Sequence, residues 1–232
     1  LAKRKVTQNF LETMMELYQI EACLDSPNPQ ERMKAITELR HYTPEVVVPL
    51  LRRRIADKEF IIRSFVAIGL GAKQTQEAFE ALLELLEYDT DANVRAEAAN
   101  SLAKYGQLAI PHLLQIFAQD TNWLVRHSIL AAVEGNEYPE VLLKLCRWAI
   151  EGDNREVKLA AIANLGQLAG MPQASEALSL LLSLASADDG EIRAQVARVL
   201  RSFDEPRAKA ALLELRHDAD YRVVGATLEG LV

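Results

Sequence analysis

The chain has 232 residues, with 26 Lys plus Arg against 33 Asp plus Glu, a net charge of −7, and 50% hydrophobic residues. This balance excludes a disordered chain, and the acidic excess argues against a protein that tracks nucleic-acid phosphates. The longest charge-free run, Leu159 to Ser175, is 17 residues and is broken by Asn164, Gly166, Gly170 and Pro172, short of the roughly 18–20 mostly apolar residues of a membrane span.

In chain order, the spacing of apolar residues predicts helices throughout and no strand. Val6 to Leu24 reads as a first outer helix, followed by an inner helix that carries Arg32 and closes on Leu39. Outer helices are then predicted over Pro44 to Ile55, Gln76 to Glu87, Leu108 to Ala118, Pro139 to Ile150, Ala174 to Ala185 and Pro206 to Arg216. Each is followed by an inner helix, centred in turn on Arg63, Arg95, Arg126, Lys158, Arg193 and Val224. Several outer helices carry Pro near their start, where the missing N–H costs nothing. Pro49 and Pro111 lie further in and predict kinks. Asp57-Lys58, Asp89-Thr90-Asp91, Asp120-Thr121-Asn122, Gly152-Asp153-Asn154, Asp188-Asp189-Gly190 and Asp218-Ala219-Asp220 mark the turns.

These helices repeat. The basic anchors Arg32, Arg63, Arg95, Arg126, Lys158 and Arg193 recur at intervals of 31, 32, 31, 32 and 35 residues. One place before the anchor stand Glu31, Ile62, Val94, Val125, Val157, Ile192 and Val223. Seven places after it stand Leu39, Leu70, Leu102, Val133, Leu165, Leu200 and Leu231. With apolar or small residues also at +3 and +4, one stripe of each inner helix is core. A pair of helices exposes apolar surface that only the next pair can bury, so the expected fold is all-α: a right-handed α-solenoid of about seven antiparallel helix pairs, running as one domain over 1–232. Leu1 in place of Met reads as a fragment of a slightly longer chain. The apolar residues Phe10, Leu11, Met14, Met15 and Leu17 at one end, and Leu231 and Val232 at the other, predict an end that another chain or missing residues cover.

An Asp precedes most anchors by five to seven residues, as with Asp57 and Arg63, Asp89 and Arg95, Asp120 and Arg126, and Asp188 and Arg193. The stripe places each anchor at its edge, so its guanidinium is at least partly buried and needs fixed acceptors. Carboxylates in the turn of its own or the adjacent repeat supply them, and the same Asp can cap the inner helix. Recurrence in every repeat marks this ladder as structural, since a catalytic group occurs once.

The segments Val94-Arg95-Ala96-Glu97-Ala98-Ala99, Val157-Lys158-Leu159-Ala160-Ala161 and Ile192-Arg193-Ala194-Gln195-Val196-Ala197 resemble the HEAT repeats. Their short period is similar to that of the phycobilin lyase-type HEAT proteins of cyanobacteria and red algae. The resemblance implies a non-catalytic protein-binding scaffold or chaperone whose partner is another protein, with a phycobiliprotein the candidate that the family brings. It also implies an alternative, a bilin lyase or chromophore-detachment helper. A bilin is the cofactor that the resemblance admits; the residues themselves call for none. Cytoplasmic placement is expected from two lone cysteines, Cys23 and Cys146.

No nucleotide-binding, metalloprotease or serine-hydrolase motif occurs, and His41, His112, His127 and His217 are scattered without metal-ligand spacing. Arg52-Arg53-Arg54 makes at most a local basic spot, because successive helical residues point about 100° apart. Asp120, Trp123 and Arg126 distantly resemble the acid–aromatic–base set of a base-flipping pocket, but two of the three already have a repeat-level role. The expected binding surface is the outward face of the inner helices, at +1, +2, +5 and +9. There the middle repeats place Phe65, Ile68, Glu97, Asn100, His127, Ala131, Leu159, Ala163 and Arg198. Tight packing of adjacent inner helices explains the small residues but not Phe65 and Ile68. That face is expected to dock a protein helix or a flat apolar ligand.

Overall fold

The computed structural model describes residues 16–229. Among them the chain is all-helical and forms an α-solenoid of HEAT-like pairs, with no strand. The helices are α1 (Leu17–Leu24), α2 (Pro29–Glu38), α3 (Pro44–Arg52), α4 (Phe60–Gly71), α5 (Gln76–Tyr88), α6 (Ala92–Ala103), α7 (Ile110–Gln119), α8 (Trp123–Ala132), α9 (Pro139–Glu151), α10 (Arg155–Leu165), α11 (Ala174–Ser183), α12 (Gly190–Leu200), α13 (Pro206–Leu215) and α14 (Tyr221–Leu228). Odd-numbered helices are outer and even-numbered ones inner. Two compact units divide between Ala109 and Ile110. Val6, Phe10, Leu11, Met14, Met15, Leu231 and Val232 lie outside the described residues.

The helix starts follow from local chemistry. Pro29, Pro44, Pro139 and Pro206 occupy first-turn positions. The inner helices α2, α6, α8, α10, α12 and α14 are capped by the side chains of Asn28, Asp91, Asn122, Asn154, Asp189 and Asp220, each accepting a first-turn N–H. Asp57, Asp89 and Asp120 are not themselves caps. Each accepts the N–H of the residue two places on, at 3.1, 2.9 and 2.8 Å, which orients the cap residue. Pro111 is the second residue of α7, because that helix begins at Ile110 rather than Leu108; a first-turn proline gives no reason for a kink. Pro49 does lie within α3, which ends three residues later at Arg52.

The predicted stripe is the core. Ile62, Val94, Val125, Val157 and Val223 at −1 are at most 1% exposed, and Leu39, Leu70, Leu102, Val133, Leu165 and Leu200 at +7 at most 2%. Ala67, Ala98, Ala99, Ala161 and Ala197 fill the +3 and +4 places at full burial, and their small size lets successive inner helices approach. In the first unit α2 packs on α4 and α4 on α6; in the second, α8 packs on α10, α10 on α12 and α12 on α14. Gly71 marks a close approach of α4 to α6: a Cβ there would stand 2.5 Å from Ser101 Cβ and 3.0 Å from its Cα.

Candidate functional site

Five arginine anchors share one station. Arg32, Arg63, Arg95, Arg126 and Arg193 each donate to the backbone carbonyl six residues earlier, on Ser26, Asp57, Asp89, Asp120 and Ala187, at 2.7–2.9 Å. The carboxylate comes from elsewhere. Arg63 holds Asp89 through two bonds of 2.6 and 2.9 Å, and Arg193 holds Asp218 through two of 2.7 and 2.8 Å. Arg32 Nη2 donates to Asp57 Oδ1 at 2.8 Å, with Nε 2.8 Å from Oδ2. Each such Asp lies 25 or 26 residues after its arginine, in the turn of the next repeat. The ladder therefore stitches neighbouring repeats together, whereas within a repeat the contact is to a main-chain oxygen. Asp188 shows the difference, because its exposed side chain takes no part and its carbonyl accepts from Arg193 at 3.0 Å.

The hydrogen bond to Asp89 raises Arg63 above the usual guanidinium value. The bond from Arg193 lowers Asp218 below the usual carboxylate range. Lys158 stands where an arginine stands in the other repeats, and the pairing across that joint falls to Arg155, which reaches Asp189 and Glu191 at 2.6 Å each.

In the first unit Phe65 and Ile68 come together on the wall of a cavity of about 230 Å3. Ile36 of α2, Val47 and Leu51 of α3, Leu39 and Gly69 complete its apolar lining, with Arg40 and Lys73 at its edge. Ile68 is 42% exposed and Phe65 half-buried. A Cβ on Gly69 would press on Leu51 Cδ1 at 2.7 Å, so glycine lets α4 close on α3. Lys73 Nζ donates to the carbonyls of Arg40 and Tyr42, at 3.1 and 2.7 Å, and so satisfies acceptors past the end of α2.

Glu97 and Asn100 are half-buried on α6. In the second unit His127, Ala131, Ala163 and Arg198 are exposed and Leu159 is half-buried. Arg198 is engaged by Glu229 at 3.1 Å, and His127 meets the edge of Trp123 at 6.4 Å, one turn back on α8. The arginine triplet is spent within the fold: Arg53 and Arg54 both pair with Asp25, and Arg52 donates to the Glu77 carbonyl at 3.3 Å. That pairing of α3 with the turn after α1 was not legible from spacing.

Arg126 differs from the other anchors. Its Nε bonds the Asp120 carbonyl at 2.7 Å and its guanidinium lies 5.6 Å from the Phe117 ring centre, but among the described residues no carboxylate pairs with it. Burial pushes the Cys146 thiol up to about 12, and it donates to the Ala161 carbonyl at 3.4 Å, the behaviour of a structural thiol. Among the described residues no cluster of His, Cys, Asp and Glu is arranged to hold a metal, and no helix is long and apolar enough to cross a membrane.

The model of the family described as HEAT repeats matches residues 19–87, 56–134 and 142–231. No curated protein sequence matches the chain. Among solved structures, the chain is similar to YibA of Escherichia coli, with TM-score 0.61 and 18% identity over 91% of this chain and 80% of that one. It is also similar to the CpcE–CpcF complex of phycocyanin lyase from Nostoc sp. PCC7120, with TM-score 0.52 and 21% identity over 92% and 94%. A designed armadillo repeat protein in complex with the peptide (KR)4 matches with TM-score 0.51 and 20% identity over 82% and 100%. At these identities the likeness is one of fold.

Proposed function

The chain belongs to the HEAT repeat family, and from that premise we propose that it is a non-catalytic, cytoplasmic protein-binding scaffold that captures a protein partner on the inner-helix face of its first unit. The Phe65–Ile68 cavity carries this reading. Its lining is apolar, one wall is a large exposed side chain, and its charged edge is cationic, the anatomy of a pocket for a protein hot spot. The complementary partner is a helix that offers a bulky apolar residue beside Asp or Glu. Glu97 and Asn100, on the next inner helix of the same unit, supply polar contacts. His127, Ala131, Leu159, Ala163 and Arg198 are assigned to the same role on the inner helices of the second unit.

Selection of displayed peptides against the protein tests the reading. Winners are expected to combine a large apolar side chain with a neighbouring acid, and to bind about tenfold more weakly, ~1.4 kcal/mol, to Ile68→Glu. Because Ile68 is 42% exposed, that variant keeps its melting temperature, whereas serine at half-buried Phe65 tests packing as well. Peptides without an apolar anchor, or binding indifferent to Ile68→Glu, would overturn the assignment.

A second reading is supported by the likeness to the phycocyanin lyase complex: the partner is a phycobiliprotein, and the protein loads or detaches its bilin. Mixing with phycocyanin separates the two. Co-elution with an unchanged bilin spectrum supports a scaffold for that partner; a shifted or transferred bilin absorbance supports chromophore chemistry.

A further inference from the structure

The joint at Arg126 is built like the others and lacks one part. Arg126 holds the common station, with its bond to the carbonyl six residues earlier. At Arg32, Arg63 and Arg193 the face of the guanidinium turned to the next repeat is closed by an aspartate, as Asp89 closes Arg63 from 26 residues on. Twenty-six residues after Arg126 stands Gly152. A Cβ at Gly152 would lie 3.9 Å from Arg126 Nη1, and its nearer neighbours, the carbonyls of Trp148 and Ala149, leave ordinary contact distances of 3.4 and 3.6 Å. The position that would carry the carboxylate faces the guanidinium and has no side chain. Asp153, one residue further, is exposed and pairs with no cation among the described residues.

What remains is a cleft of about 310 Å3 beside Arg126, Trp148, Phe117 and Gly152. The Trp148 indole stacks on Phe117 with centres 6.3 Å apart and planes at 22°, and Lys144 Nζ lies 4.8 Å from the indole centre. Glu151 also borders the cleft, yet it forms no ion pair with Arg126. A half-buried guanidinium with one protein acceptor keeps unused donors in a planar fork that matches a carboxylate. The adjoining indole gives the stem of an acidic side chain an apolar wall.

We propose that this joint is a receptor for an aspartate or glutamate side chain of a protein partner, which supplies in trans the carboxylate that the chain supplies itself at Arg32, Arg63 and Arg193. The site shares no residue with the Phe65–Ile68 cavity and lies in the other unit, so the two assignments stand or fall separately.

The test is a titration of the full chain, carrying Trp123→Phe so that Trp148 alone reports, with a short peptide blocked at both ends and bearing one glutamate. The matched glutamine peptide, a glutamine peptide with a free C-terminus, and acetate are the controls. Saturable change in Trp148 emission is expected with the glutamate peptide, and affinity about tenfold or more lower for the matched glutamine peptide. Arg126→Gln abolishes binding. Gly152→Asp restores the missing rung from within, so it raises the melting temperature and also abolishes binding. This variant keeps the test decisive if Arg126→Gln fails to fold. Equal binding of the two blocked peptides, no saturable change, or normal binding by Gly152→Asp would overturn the proposal. Acetate or the free C-terminus binding as tightly as the blocked glutamate peptide would replace it with a general carboxylate site.

Discussion

The joint at Arg32 and the joint at Arg126 use the same backbone frame to opposite ends. In the first unit the Arg32 and Asp57 side chains are each 4% exposed and paired with one another, so the charge is sealed between repeats. In the second unit Arg126 has the main-chain bond and a ring beneath it but no acid, and it borders open space. One repeat motif thus yields a rivet where the following turn brings aspartate and a socket where it brings glycine.

Removing the acid from the rivet should have the largest effect. Asp57→Ala leaves the buried Arg32 charge unpaired and is expected to cost about 3–5 kcal/mol in urea unfolding followed by circular dichroism. Arg126→Met loses one hydrogen bond and keeps its packing on Phe117, so about 1 kcal/mol is expected. If the two variants lose equal stability, the contrast between sealed and open joints is wrong.

The glycines of the two units sharpen the comparison. Gly71→Ala forces a methyl against Ser101 Cβ and Cα, which belong to a neighbouring helix and cannot swing aside; overpacking of this kind costs about 1–3 kcal/mol. At Gly152 the same substitution meets only ordinary contacts, and its φ of −75° suits any residue, so a change within about 0.5 kcal/mol is expected. Parallel thermal melts of the two variants decide it.

Acid should act on the last joint. The hydrogen bond from Arg193 holds Asp218 below its ordinary value, and Arg222 holds Asp220 down at about 2. A carboxylate whose folded value is depressed stabilises the fold fully above its unfolded value of about 3.9 and loses that contribution as pH falls through the folded value. Protection of the α14 amides against hydrogen exchange is therefore expected to decline between about pH 4 and pH 2, and Asp220→Asn should flatten that decline. Unchanged protection across the window would show that these pairs do not hold α14.

The architecture was legible because it is written in side chains at fixed spacing: apolar −1, +3, +4 and +7 rows leave one economical way to bury themselves. The ladder was legible only in outline. Spacing left open whether the acid comes from an arginine's own turn or from the adjacent repeat; its own turn offers a carbonyl, and a main-chain acceptor leaves no mark in a sequence. The true acid could have been found by asking what lies six residues before the next anchor, which returns Asp57 for Arg32, Asp89 for Arg63 and Asp218 for Arg193 and, after Arg126, Gly152, with Glu151 beside it forming no ion pair with Arg126. Phe65 and Ile68 stood out as large residues at outward positions. The contributions of Val47 and Leu51 did not, because helical periodicity says which face is buried and nothing about how closely the next helix covers it.

A further small effect is predicted at the fifth anchor. Lys158 is half-buried at the place where the other repeats carry arginine, and the residue six before it is again Gly152. The chain leaves α9 at Gly152 in an extended conformation, ψ 170°, much as it leaves α5 at Asp89, ψ 135°, so the carbonyl at that station is expected to face the anchor. A lysine ammonium is a compact charge at the end of a flexible stem, whereas the arginine fork reaches sideways to such an acceptor. Lys158→Arg should therefore add one charge-assisted bond and raise stability by about 0.5–1 kcal/mol. The gain stops there, because the residue 26 places on is Leu184 and no carboxylate closes the rung. A rise in the urea midpoint with an unchanged slope is the expected result. No rise would mean that the Gly152 carbonyl is turned away, and that the station shared by the five arginines is interrupted at the fifth repeat.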